Sequence, residues 1–178
     1  MLYAFGFERI GVVLSDIYFM DPRSPAGQEG AEQGVRLEVR FVAKEDLKGS
    51  VYSAQPISIN EAIWRGDLLE SVENSGSFDR THHHPRFRGW EPTRRHFVEE
   101  LSADPFEWVS ERLSNLDLLL EEANIEKEQV APTDGAELRR AVPEIIDATR
   151  RVLERIRAGE LGQAPAEPTP AGARIGWL

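Results

Sequence analysis

Val35-Arg36-Leu37-Glu38-Val39-Arg40-Phe41 alternates apolar and charged residues without a break. A period of two places Val35, Leu37, Val39 and Phe41 on one face and Arg36, Glu38 and Arg40 on the other. That pattern predicts an antiparallel strand with one face on a core and one in water. Upstream, Pro22 to Gly34 is dense in Pro, Gly and small polar residues and reads as a loop. Before it, Arg9 to Asp21 is rich in β-branched and aromatic types and reads as a second strand. Downstream, a polar turn spans Lys44 to Ser50. Val51 to Ile59 reads as a strand interrupted by Pro56, which suits an edge or a bulge. Ile63 to Val72 reads as another strand in preference to a short helix capped by Asn60, and Asn74-Ser75-Gly76 as a turn.

The period changes after Asp104. Asp104-Pro105 combines an N-cap with proline at the first helical position. Phe106, Val109, Leu113, Leu116 and Leu120 follow at helical spacing, predicting one amphipathic helix to about Asn124. A second helix is expected from about Gly135 to Ala158, with Leu138, Val142, Ile145, Val152 and Ile156 as its stripe. Pro143 should kink or restart it, and Gly159 should end it. Strands first and helices after predict an α+β fold: an antiparallel sheet of about four or five strands, then two C-terminal helices on one face. The expected single domain covers 1–160, with a Pro/Ala/Gly-rich tail over 161–178.

With 178 residues the chain is long enough to bury one core. It has no cysteine, which excludes disulfides and thiolate metal sites. It shows neither a signal peptide nor an apolar run long enough to span a bilayer, so a cytoplasmic protein with no membrane partner is expected. A net charge of −10 opposes non-specific nucleic-acid binding by the surface as a whole.

That charge is unevenly spread. All four histidines fall between His82 and His96, among Arg80, Arg86, Arg88, Arg94 and Arg95 and with Glu91 as the acid among them. Two prolines and Gly89 make this stretch mostly loop. One reading is a polyanion site. Arg80, Arg86, Arg88 and Arg94 would grip phosphates, and Phe87 and Trp90 would stack on bases. His82, His84, Glu91 and Arg95 would then supply the acid, base and cation of a metal-independent ribonuclease, needing no cofactor. A second reading is a metal site. His82 and His84, two apart on an extended chain, point the same way, and Asp79 or Glu91 would complete a three-ligand set for a metal-dependent hydrolase. In a third, the stretch is a solvated loop whose arginines pair with Glu99, Glu100, Asp104, Glu107 and Glu111 while Trp90 and Phe97 anchor it. The chain would then act as a non-catalytic interaction module through its acidic helices. Arg65 and Asp67, either side of Gly66, read as a local pair, with a site role as the alternative.

From Val35 to Leu113 the chain resembles TumE-type toxins of toxin–antitoxin systems. The matching pieces are Trp64-Arg65-Gly66-Asp67 or Phe78-Asp79 as the Asp element, His82-His83-His84 as the His element, then Glu91-Pro92 and Phe97. It departs from them in length, in its C-terminal helical region and in the arginines between His84 and Glu91. The resemblance implies a toxin-like protein acting on RNA, a cognate antitoxin as partner, and functional roles for His82, His84 and Glu91.

Overall fold

The computed structural model describes residues 1–22, 24, 26–27, 29–46 and 56–164. The reading of Val51 to Gln55 as strand, the end of the turn before it, and the tail beyond Ala164 lie outside these residues.

Five strands form one antiparallel sheet in sequence order: β1 (Leu2–Gly6), β2 (Ile10–Met20), β3 (Ala31–Lys44), β4 (Ile57–Ser71) and β5 (His82–His84). The alternating stretch lies in β3, paired with β2 on one side and β4 on the other. β4 begins directly after Pro56, where the missing N–H costs no ladder bond. A two-residue hairpin follows, β6 (Phe87–Arg88) with β7 (Glu91–Pro92), turning at Gly89 with φ 60°. Then come α1 (Glu99–Ala103), α2 (Pro105–Leu113), α3 (Leu116–Ala123) and α4 (Asp134–Arg157). The α+β class and the antiparallel sheet followed by helices are as the period change predicts.

The single helix expected from Asp104 to about Asn124 is two. Asp104 caps α2 by accepting from the Glu107 N–H, but Asn115 starts a new helix by accepting from the Leu118 N–H. Both segments keep one apolar face buried, which is why the periodicity alone did not reveal the break. Pro143 does not restart the second helix, and α4 runs through it as one element. It ends as expected, with Gly159 at φ 74° just past the last turn.

Leu14–Leu37–Gly66 and Val12–Val39–Trp64 are cross-strand rows on the sheet face that meets the helices. Leu101, Val109, Leu113, Leu119, Leu138, Ile145 and Val152 cover that face and form the core with it. At Gly66 the indole of Trp64 lies flat across the strand, and a Cβ there would stand 2.5 Å from its Cη2.

The opposite face departs from the expected wet surface. Glu38 is 6% exposed, Arg65 9% and Asp67 1%. The segment from Pro85 to Phe97 folds back over these charges, with Phe87 against the Arg65 guanidinium and Trp90 against that of Arg40. The charges therefore pair with one another. Arg65 and Arg40 both bind Glu38, and Arg36 holds Asp67. The predicted Arg65–Asp67 pair is not formed, because each finds its partner on the neighbouring strand β3.

Candidate metal centre

Antiparallel pairing sets β5 against β4 so that His82 lies opposite Asp67 and His84 opposite Arg65. β3 adds Arg36 opposite Asp67, and Glu38 opposite Arg65. Two cross-strand rows thus run side by side on the covered face, Arg36–Asp67–His82 and Glu38–Arg65–His84. The other edge of β5 is closed by a bridge between His83 and His96, whose backbone N–H and C=O groups are exchanged.

His82 Nδ1 lies 2.7 Å from the Arg80 carbonyl oxygen, and His84 Nδ1 lies 2.6 Å from that of Thr93. A carbonyl only accepts, so each Nδ1 carries the proton and donates it. In the neutral ring this leaves Nε2 as a bare lone pair. Both Nε2 atoms face the same carboxylate oxygen, Asp67 Oδ2, at 3.4 Å from His82 and 3.5 Å from His84. The two rings are edge to face at 5.0 Å. Three acceptors therefore converge, on residues 1%, 1% and 6% exposed. Such an arrangement is satisfied by protonating both imidazoles or by a cation bound to all three atoms. The backbone-anchored Nδ1–H of each ring is the second shell that metal-ligating histidines use. Ligands about 2.0–2.1 Å from a tetrahedral zinc stand about 3.3–3.4 Å from one another, close to the two histidine–Asp67 distances here, and all three atoms lie within 4.8 Å of one another.

Asp67 is ionised. Burial opposes its charge, but the Arg36 guanidinium, followed by the two histidines, holds its carboxyl well below the usual carboxylate range. Arg36 grips it through Nε to Oδ1 at 2.7 Å and Nη2 to Oδ2 at 3.3 Å.

His83 points to the helix side. Its Nδ1 accepts from the Trp64 indole N–H at 3.3 Å, and its ring packs 5.0 Å from that of Trp108. Burial first, then the positive Arg112, lower its pKa to about 4, so it is a neutral core residue.

Of the residues the sequence singles out, His82 and His84 are brought together. The third member of their cluster is Asp67, in place of Asp79 or Glu91. Asp79 accepts from the Ser71 N–H and the Ser77 hydroxyl and so fastens the turn before β5. Glu91 is exposed on β7 opposite Arg88. Arg95 binds Glu32, which lies four residues, about 13 Å, along β3 from Arg36. Arg80 donates to the Gly27 and Glu29 carbonyls, and Arg86 to that of Glu122. Phe87 and Trp90 already carry guanidinium groups, while Arg88 and Arg94 are exposed. None of the ion pairs among the described residues joins these arginines to Glu99, Glu100, Asp104, Glu107 or Glu111. Phe97 is 47% exposed but lies 5.4 Å from the His82 ring. A concavity of about 650 Å³ between the β1–β2 turn and the start of α4 contains none of the cluster. The basic groups of its walls are engaged, Lys127 with Asp117, Arg9 with the Glu128 carbonyl and Arg139 with that of Ser114.

Arg36 is placed at the site by no reading of the sequence, and Asp67 by the resemblance but not by the metal reading. Their available signal was charge on the same face of two successive strands. No protein-family model, curated protein or solved structure matches the chain.

Proposed function

We propose that Asp67, His82 and His84 bind a divalent metal, zinc by the spacing of their ligand atoms, and that the protein is a metal-dependent hydrolase. One observation carries this reading: two histidines anchored at Nδ1 by backbone carbonyls present both Nε2 atoms to one buried carboxylate oxygen. Three protein ligands leave a coordination position for water or substrate, as in catalytic zinc sites. A metal held there would polarise a carbonyl or phosphoryl oxygen and acidify a bound water. The chain's own residues do the rest. Arg36 fixes the Asp67 carboxylate, the carbonyls of Arg80 and Thr93 fix the rings, and the 85–97 segment limits access of bulk water.

The test is metal content. Protein purified without a polyhistidine tag should carry or take up about one zinc per chain, and Asp67→Ala none. Failure of the wild-type chain to bind zinc, manganese or ferrous iron under dialysis would overturn the metal reading. Hydrolysis of p-nitrophenyl acetate or p-nitrophenyl phosphate by loaded protein, abolished by a chelator, is the activity expected.

A toxin-like role on RNA, with a cognate antitoxin, is the second reading. It is favoured by the exposed Arg88, Trp90 and Arg94 on the segment that covers His82 and His84. RNA cleavage that persists in chelator and disappears in His82→Ala would select it over the metal enzyme.

A further inference from the structure

We infer that the remaining ligand of this centre is an oxyanion, a carboxylate or a phosphate group, held between the metal and the Arg36 guanidinium. The inference rests on the metal reading and adds the substrate class to it.

Charge is the first argument. On the covered face Arg36, Arg40 and Arg65 stand against Glu38 and Asp67, an excess of one positive charge, and the Arg95–Glu32 pair adds nothing net. A divalent ion raises that excess to about three in a region largely removed from water, where uncompensated charge is costly. An anion completing the coordination sphere lowers it, whereas a neutral ligand does not.

The second argument is the direction of unused donors. Arg36 spends Nε on Oδ1 and one Nη2 hydrogen on Oδ2, the oxygen both histidines face. Its Nη1 has no hydrogen-bond partner among the described residues, and it is absent from their buried, unsatisfied atoms. In this side-on grip the guanidinium borders the metal position through Nη2, whose second hydrogen forms with Nη1–H the fork left unused. A planar or tetrahedral oxyanion matches that fork, one oxygen on the metal and another on the guanidinium.

Access is the third. The Arg36 side chain is 20% exposed, compared with 2% for Asp67 and His82 and 8% for His84. Of these four, the arginine is the most open to solvent, so a small anion would reach the centre past it.

The experiment has two stages on the full chain. Zinc is titrated first, into wild type, Arg36→Gln and Arg36→Lys. Inorganic phosphate and acetate are then titrated into each zinc-loaded protein and into zinc-free wild type, by calorimetry. Loaded wild type should bind one of the two anions at one per chain, and which one names the class. Affinity should fall about tenfold or more without zinc and in loaded Arg36→Gln, the loss expected for a charge-assisted hydrogen bond. Arg36→Lys keeps the charge beside Asp67 but not the fork. It is expected to retain zinc and bind the anion more weakly than wild type, and it decides the matter if Arg36→Gln loses zinc or does not fold. Zinc binding with neither anion bound, or equal anion affinity in the Arg36 variants, overturns this inference and leaves the metal reading intact. No zinc binding overturns both.

Discussion

His82 and His84 belong to the same three-residue strand as His83, yet the two sides of that strand make different things of one residue type. On one side the rings stand in a row of charges, each Nδ1 donating to a carbonyl, with both Nε2 atoms turned on Asp67. On the other, a single ring accepts a hydrogen bond from Trp64 and packs against two indoles that stack on each other. The pleat separates them by alternation alone. What each ring does is then decided by which atoms of neighbouring strands reach its nitrogens. A donor aimed at Nδ1 makes a core histidine, and an acceptor there frees Nε2 for a ligand.

The largest expected effect tests that division directly. Saturating zinc, at about a hundredfold its Kd, should stabilise the wild-type fold by about 2.7 kcal/mol through mass action. His83→Asn should retain the stabilisation, and His82→Ala and His84→Ala should lose it, as read from urea unfolding with and without zinc. If His83→Asn loses the zinc effect while remaining folded, or either Ala variant keeps it, the two faces are not functionally distinct.

Gly66→Ala attacks the boundary between the faces from the helix side. The added methyl would meet the Trp64 ring at 2.5 Å, so the indole must lift from the strand. Overpacking of this kind costs about 1–3 kcal/mol. The midpoint of denaturation should fall accordingly, while zinc stoichiometry, set on the opposite face, stays at that of wild type.

A third effect follows from pH. His83 is held to about 4, against 6.5 for the ordinary imidazole, chiefly by burial. Between those values the unfolded chain binds the proton more readily than the folded one. This contribution to stability is therefore whole above about pH 6.5 and is lost progressively as pH falls toward 4. In zinc-free protein, Tm should drop over that window, and His83→Asn should drop less. Equal slopes for the two would remove His83 from the acid response.

Much of this arrangement could be read before the structure, and the unread part has a physical reason. The alternation in Val35 to Phe41, the Asp104-Pro105 start and the Gly159 stop are local signals, and each lies where it predicts. His82 and His84 are legible as a pair because period two is also local. Asp67 joins them only through the β4–β5 register, which depends on how the turn through Ser71–Arg80 closes, and Asp79 in that turn is the nearer acid in sequence. Arg36 is further removed, since it needs both the β3–β4 and the β4–β5 registers. The charged face looked wet for a similar reason. Alternation specifies that Glu38, Arg65 and Asp67 share a side, but not that Pro85 to Phe97 returns to cover them.

That covering is where the comparison can be sharpened with the smallest effect. The helix side is closed by a continuous apolar core, whereas the charged side is closed by a hairpin of two-residue strands. Trp90 is 45% exposed yet sits 5.3 Å from the Arg40 guanidinium, which also binds Glu38 and the Asn60 carbonyl. An exposed cation–π contact contributes about 0.5–1 kcal/mol, so Trp90→Ala should cost about that and no more. No hydrogen bond or ring contact among the described residues joins Trp90 to the three ligands, so zinc affinity should hold. The hydrogen exchange of the His84 and Thr93 amides should quicken, since the hairpin then opens more often over a site it still shapes when closed. If Trp90→Ala instead costs several kcal/mol, the hairpin belongs to the core in the same sense as the helices. The centre beneath it would then be sealed, as His83 is, rather than covered.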